Sequence, residues 1–293
     1  METRSQAPSS VSLLVDSHVH FHELFERDAF LDAALANFQK GAAELGLDHP
    51  FLGCLLLTEA AGDHWFRRLR DRAGGGSGGR WTFERTAEPG SLMARHLDGE
   101  RLLLTAGRQI RTREGLEVLA LVSSDQFPDG LPLGDTLTRV RWSGAVSVIP
   151  WGFGKWWFYR GGLVEAVLRR PQWRGIFLGD NAGRLSMVGR PWLFRQAAAR
   201  GVPVLPGSDP LPLAEHAGRA GSYGFLLQVE MEEGRPAESL RRRLRSLGVQ
   251  PRTFGRCSSP LEFARAQTAL RVSRRAQPAA TAGRSTAASQ WTP

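Results

Sequence analysis

The chain has 293 residues, of which 42% are hydrophobic and 23% charged, and its formal net charge at pH 7 is +9. Its length fits one large α/β domain or two small ones, its two cysteines exclude a disulfide framework, and no apolar run approaches the roughly 20 residues that a membrane span needs. Because residues 1–11 are polar and offer no secretory signal, we expect a disordered N-terminus and a cytoplasmic protein without membrane contact.

Strand-like and helix-like segments alternate along most of the chain. In chain order, the first half predicts a strand at 11–20, a helix at 25–45, a strand at 51–59, a helix at 62–72, a glycine-rich loop at 74–79 and a meander of short strands over 80–124. The second half predicts a helix at 133–141, strands at 144–150, 175–181, 202–209 and 224–230, and helices at 163–170, 191–200, 236–247 and 260–271. This alternation is typical of a parallel sheet or barrel, in which functional side chains collect at the carboxyl ends of the strands.

The first strand ends in a histidine cluster. His18 and His20 follow Asp16 at alternate positions, so the three side chains lie on one side of an extended chain, and His22 extends the series. Imidazoles at this spacing can bind one metal ion together. Later strand ends carry further polar groups, although several of them are also typical of turns: Glu59, Asp63, His64, Gln109, Asp180, Asn181 and Asp209.

These strand ends resemble the PHP domain (polymerase and histidinol phosphatase), a distorted metal-dependent barrel. The similarity covers roughly residues 12–230, with Asp16-Ser17-His18-Val19-His20 similar to its Asp-x-His-x-His motif and Gly207-Ser208-Asp209 similar to its Gly-Ser-Asp motif. The resemblance implies a distorted TIM-like (β/α)7 barrel over residues 12–234, with basic C-terminal helices over 235–272 packed on or beside it and a disordered tail over 273–293.

The resemblance also implies which residues hold metal. It assigns four ligands to a divalent Zn, Mn or Fe ion: His18, His20, Glu59 and Asp209. Other ligands of the family are replaced, because Ala60 and Leu211 stand where it has histidines and Gln109 stands where it has a bridging glutamate. A neutral amide lacks the charge that a carboxylate supplies between two cations, so we expect a reduced site with one ion or none.

The segment 151–162, WGFGKWWFYRGG, is the most unusual stretch of the chain. It follows the strand at 144–150 and falls where the resemblance places the mouth of the barrel. We predict either a lid or stacking wall for a planar or sugar-like ligand, or a hydrophobic plug or partner-binding patch. The predicted substrate-binding residues are Trp151, Lys155, Arg160 and Asn181.

The leading hypothesis for function is a metal-dependent hydrolase of a small-molecule substrate, a phosphoester, with Asp180 and His64 handling protons. The alternative is a catalytically inactive barrel that serves as a binding or scaffold module through its aromatic loop. A barrel of the broader amidohydrolase kind ranks lower, because that fold expects two middle histidines and His96 is the only histidine between residues 65 and 215.

The positive charge of the chain lies at its C-terminal end. Residues 235–293 contain twelve arginines and two acidic residues, whereas residues 1–234 contain 26 basic and 27 acidic residues. A basic end can contact nucleic acid, but a charge run alone is a weak signal. We therefore favour a solvated, arginine-rich surface over a nucleic-acid partner.

Overall fold

The computed structural model describes residues 9–75, 78–187 and 189–276. Residues 9–11 and 273–276, which we expected to belong to disordered ends, lie in the first strand and the last helix. The remainder of both predicted disordered ends falls outside the described residues.

The described residues form twelve strands and seven α-helices. The strands are β1 Ser9–Val19, β2 Phe51–Leu57, β3 Trp81–Arg85, β4 Ser91–His96, β5 Arg101–Thr105, β6 Gly107–Arg111, β7 Glu117–Leu121, β8 Val146–Pro150, β9 Phe177–Asn181, β10 Val204–Gly207, β11 Tyr223–Met231 and β12 Thr253–Gly255. The helices are α1 Arg27–Glu44, α2 Trp65–Arg72, α3 Leu133–Trp142, α4 Tyr159–Arg169, α5 Trp192–Ala198, α6 Pro236–Arg245 and α7 Pro260–Ala276.

The strands form two open sheets of mixed direction. The larger sheet has seven strands in the order β12-β11-β1-β2-β5-β4-β3, and the smaller has five in the order β10-β9-β8-β7-β6. The neighbours β1–β2–β5 and β8–β9–β10 are parallel, and every other neighbouring pair is antiparallel. The parallel strands in each sheet are those connected through helices, whereas the antiparallel ones come from the meander and the C-terminal part of the chain.

The predicted closed TIM-like (β/α)7 barrel is therefore wrong. One edge of β1 pairs with β2, and its other edge pairs with antiparallel β11 from Ser9 to Val15, which leaves no ladder between β1 and β10. Among the described residues, backbone pairing between the two sheets is limited to isolated points, such as the Glu59–Arg108 bridge and the Asp209 N–H that donates to His18 O at 2.8 Å. The fold is a pair of packed open sheets.

Alternating side chains of the central strands explain how the two sheets pack. In β1, Leu14 faces a core shared with α1 and α2, whereas Leu13 and Val15 face a second core that also contains Val148 and Leu205 from the smaller sheet. A third core lies between the outer face of the smaller sheet and α3, α4 and α5. The result is a layered structure of helices, sheet, sheet and helices, and strands buried on both faces account for the continuous apolar runs in the sequence.

The single strand expected near 101–112 is two strands that belong to different sheets. The chain leaves the larger sheet after β5 and enters the smaller sheet at Gly107. A Cβ atom on Gly107 would lie 2.3 Å from Leu57 O, so a side chain at this crossing would force the end of β2 away from β6. The sequence patterns also missed β4 and β12.

Hydropathy predicts no membrane span, and the structure agrees for the part of the chain it describes. None of the helices there is both long enough and apolar enough to cross a bilayer.

Candidate metal centre

The histidine cluster lies where β1 departs from regular strand geometry. The register between β1 and β2 shifts between Asp16 and Val19, and a bulge of this kind re-aims the side chains that follow it. Asp209 follows β10 and has a positive φ of 47°, which is uncommon for a residue other than glycine. The glycine at position 207 allows the end of β10 to lie close to His18 of β1, because a Cβ atom there would lie 2.5 Å from the backbone nitrogen of His18.

Four ligand atoms from three regions of the chain point at one another. His18 Nε2 lies 3.1 Å from His20 Nε2, and Gln109 Oε1 lies 3.0 and 3.3 Å from these two nitrogens. Asp209 Oδ1 lies 3.5 Å from His18 Nε2 and 3.6 Å from His20 Nε2. Two ligand atoms bound about 2.1 Å from a tetrahedral ion lie about 3.4 Å apart, so the spacing fits one metal ion at the centre of the group.

Burial sets the protonation states that metal binding needs. Desolvation above all, and then the neighbouring His18 ring, lower the pKa of His20 to about 3, so its imidazole is neutral near pH 7. Burial alone raises the pKa of Asp209, but the charges of His18, His20, Lys155 and Arg219 outweigh it and hold this pKa below its usual value. A neutral imidazole and an ionised carboxylate are the metal-binding forms of these side chains.

Gln109 is a candidate ligand that the sequence patterns treated only as a lost glutamate. It lies in β6 of the smaller sheet, and its amide oxygen completes the group started by the two histidines of the larger sheet. The prediction that Gln109 ends a strand is wrong, because Gln109 is the central residue of β6. The sequence interpretation did not count Gln109 among the ligands, although an amide oxygen can coordinate a divalent ion.

Asp16, the first residue of the Asp-x-His-x-His motif, holds the backbone around the centre in place. Its carboxylate is fully buried and accepts hydrogen bonds from the backbone N–H groups of His18, Ser208 and Gly221, at 3.2, 2.8 and 2.8 Å. Burial raises the pKa of Asp16 to about 6 even though these hydrogen bonds lower it. Asp16 therefore ties β1 to the loops that follow β10 and precede β11.

Asn181, predicted to bind substrate, instead supports a ligand. It ends β9, and its side-chain amide donates to Asp209 Oδ2 at 3.0 Å and to Trp151 O at 2.9 Å. One oxygen of Asp209 is thereby anchored while the other faces the histidines. Support of this kind fixes the orientation of a metal ligand.

Glu59 and His64 lie outside the group of ligand atoms. Glu59 accepts a hydrogen bond from Phe66 N at 2.7 Å and lies 3.6 Å from the guanidinium of Arg108, and burial raises its pKa. His64 Nδ1 lies 3.1 Å from the Arg108 guanidinium. Both side chains line a separate cavity of about 280 Å³, so the structure brings neither the predicted ligand nor the predicted proton carrier to the histidines.

Asp180 is equally committed to other partners. Arg184 donates to its two carboxylate oxygens at 2.7 and 2.8 Å, and the hydroxyl of Tyr223 donates to one of them at 2.9 Å. The carboxylate is buried. Asp180 is thus part of a buried polar cluster that connects β9 with β11, and its role in proton transfer stays a prediction.

The aromatic loop is shorter than predicted, because α4 begins at Tyr159. Lys155 forms an ion pair with Glu117 of β7, and Arg160 donates to Gly154 O at 2.7 Å and braces the loop. Trp151 is connected to the centre by its carbonyl oxygen, which accepts a hydrogen bond from Asn181. Lys155 and Arg160, which we predicted to bind substrate, are therefore both paired with other groups of the protein.

Comparisons with known proteins identify no family. No protein-family model matches the chain, and no curated protein matches it. Among solved structures, the chain is similar to PsfC from Pseudomonas syringae PB-5123, with 14% sequence identity, a TM-score of 0.48 and coverage of 91% of this chain and 100% of that chain. We therefore base the functional proposal on the metal centre alone.

Proposed function

We propose that this protein is a metal-dependent hydrolase of a small-molecule phosphoester, with one divalent Zn, Mn or Fe ion held by His18, His20, Gln109 and Asp209. The convergence of four ligand atoms within 3.0–3.6 Å carries this proposal. Three of the four ligands come from the two motifs that resemble the PHP domain, so a relation to that family stays a proposal, although the two open sheets differ from its barrel.

The charge of the ligands favours a single ion and an anionic substrate. Two neutral imidazoles, one amide and one carboxylate leave a net charge of +1 when a divalent ion is bound. A bound ion supplies a Lewis acid and lowers the pKa of a water molecule on it. Arg219 adds positive potential, because it lies near enough to Asp209 to lower the pKa of that carboxyl. A phosphate group would be attracted to this region.

Limited solvent access also suits a small substrate. The His18 side chain is 4% exposed and the Asp209 side chain is 20% exposed, so solvent and substrate reach the group from the side of Asp209. Four protein ligands fill a tetrahedral shell, so hydrolysis requires the ion to accept a fifth ligand, water or substrate, on that side, as zinc does when it expands to five-coordinate.

A binding module without catalysis is the second candidate. The aromatic loop supports it, since Trp157 is 54% exposed and Phe158 is 89% exposed, and exposed aromatic groups of this kind are typical of contact surfaces. The loss of histidines at positions 60 and 211 points in the same direction.

Hydrolysis of a panel of phosphoesters in the presence of Mn²⁺ or Zn²⁺ separates the two functions. We expect hydrolysis by the metal-loaded protein, its loss on chelation and its loss in the double variant His18→Ala/His20→Ala. His49→Ala is the matched control, because His49 is half exposed and contacts Ser12 away from the centre. A metal-loaded protein that hydrolyses none of the esters would leave the binding module as the function.

A further inference from the structure

A cavity of about 330 Å³ has Trp151 in its wall, the residue whose carbonyl oxygen accepts a hydrogen bond from Asn181 of the candidate metal centre. Two loops form most of it, one after β8 and one after β9, and Phe263 of α7 closes it from the C-terminal side. Its side chains are mainly aromatic and apolar: Trp151, Phe153, Trp156, Trp157, Leu185, Pro191, Trp192 and Phe263. This volume falls within the range of roughly 300–1,000 Å³ that is common for small-molecule sites.

The cavity adjoins the metal centre through neighbouring strand ends. β8, β9 and β10 are consecutive parallel strands, and Gly207 at the end of β10 is in register with Asn181 at the end of β9. Asn181 bonds both to the ligand Asp209 and to Trp151 of the cavity wall. The wall of the cavity and the proposed ion site are therefore connected through one side chain, that of Asn181.

The aromatic, apolar walls of the cavity favour a ligand with a flat, uncharged ring over a flexible chain or a charged group. Phe153 packs edge-on against Trp157 and Phe263, with ring centroids 5.2 and 5.3 Å away, and the rings form a cage with flat faces. Arg184 is the charged residue of the lining, and Asp180 neutralises it through two hydrogen bonds. The described lining contains no carboxylate that could balance the charge of a cation, so the cage suits a neutral ring better than a quaternary ammonium group, the ligand that aromatic cages otherwise take.

We infer that this cavity binds the planar, uncharged aromatic group of the substrate whose ester bond lies at the metal centre. The assignment of that group to a hydrolysed substrate rests on the proposed function, whereas the affinity of the cavity for a neutral aromatic ring does not. The aromatic loop is thus one wall of the substrate site, and Phe263 of the basic C-terminal helix α7 completes the site through its contact with Phe153.

Calorimetric titration with 2-naphthol, on metal-free and metal-loaded protein, tests this inference without relying on catalysis. We expect one molecule bound per chain in both forms, and affinity reduced about fivefold or more in Trp157→Ala and in Phe263→Ala. Trp142→Ala is the matched control, because Trp142 on α3 is 82% exposed and does not line the cavity; its affinity should equal that of the wild type. A titration with tetramethylammonium should show no binding.

Three results would overturn the inference: no binding of 2-naphthol, equal losses in Trp157→Ala and Trp142→Ala, or tighter binding of tetramethylammonium. A protein that binds 2-naphthol but hydrolyses no ester would remove the proposed function and leave the cavity assignment standing. A protein that hydrolyses glycerol phosphate faster than 2-naphthyl phosphate would contradict the substrate class while leaving the hydrolase intact.

Discussion

Residue 109 determines the charge of the metal centre. Gln109 contributes an oxygen without a negative charge, and its amide lies 3.0 Å from His18 Nε2 and 3.3 Å from His20 Nε2. The affinity of oxygen-ligand sites rises with the number of charged ligands. The neutral side chain at this position therefore limits the affinity of the proposed site for a divalent ion. It also limits the number of ions that the site can hold.

Gln109→Glu should tighten the binding of Mn²⁺ or Zn²⁺ by about tenfold or more, because it adds a carboxylate directly beside the ion. Competition with a chelator of known affinity measures the change. Gln126→Glu is the control, since Gln126 is exposed and lies on the cavity of Glu59 and His64. An equal gain in both variants would show that the added charge acts at long range and that Gln109 is not a ligand.

Asn181→Leu should weaken metal binding about tenfold or more, as is usual for the loss of a group that orients a ligand, because Asp209 Oδ2 loses its hydrogen bond. Isothermal titration measures the affinity. Asn37→Leu is a matched control: Asn37 also donates to two acceptors, the carbonyl oxygens of Gly218 and Ala220, away from the centre. If Asn181→Leu bound metal as tightly as the wild type, Asn181 would have no part in positioning Asp209.

Sequence patterns located His18, His20 and Asp209 because all three follow apolar strands, a position that depends only on local order. They did not predict the contacts of Asp180 and Asn181, which include partners distant in sequence. Asp180 is bound by Tyr223, 43 residues later, and Asn181 is bound to Trp151, 30 residues earlier. Nothing in the local pattern distinguishes a carboxylate that faces a ligand from one that faces an arginine.

Among the elements, α7 shows how a short sequence signal fixes a helix start that matters for the site. Ser259 precedes Pro260, and Glu262 accepts a hydrogen bond from Ser259 N at 2.7 Å while Glu262 N donates to Ser259 Oγ at 3.3 Å. This reciprocal pair is a capping box, with proline at the first helical position. It sets the start of the turn that carries Phe263 to the aromatic cavity.

Glu262 should make folding stability depend on pH in the acid range. The hydrogen bond from Arg256, followed by that from Ser259 N, lowers the pKa of Glu262 from 4.5 to about 2. Because the pKa is lower in the folded chain, the stabilisation is present above about pH 4.5 and is lost as the pH falls towards 2. Glu262 is 44% exposed, so this stabilisation is at most about 1 kcal/mol.

Glu262→Gln should therefore lower the free energy of unfolding by at most about 1 kcal/mol at pH 7, and its difference from the wild type should shrink as the pH falls to 3. Urea unfolding at a series of pH values measures this difference. Glu233→Gln, at an exposed position, should match the wild type throughout. A difference that stays constant between pH 7 and pH 3 would contradict the ion-pair origin of the effect.

On the scale of the whole molecule, the proposed metal centre joins the two sheets. His18 lies in β1 of the larger sheet and His20 follows it, whereas Gln109 lies in β6 and Asp209 follows β10 of the smaller sheet. Alternating strands and helices correctly predicted a mixed α/β protein with parallel strands. They could not predict two open sheets, because the pairing of β1 with β11 joins residues more than 200 positions apart and decides whether a barrel can close.

The number of metal ions that the purified protein retains tests the metal centre most directly. The protein would be loaded with Zn²⁺ or Mn²⁺, freed of unbound ion by gel filtration and analysed by mass spectrometry of the metal. We predict about one ion per chain in the wild type and in His49→Ala, and none in His18→Ala/His20→Ala, because two of the four proposed ligands are then lost. A wild-type protein that retains no ion, or a double variant that retains as much as the wild type, would contradict the proposed centre.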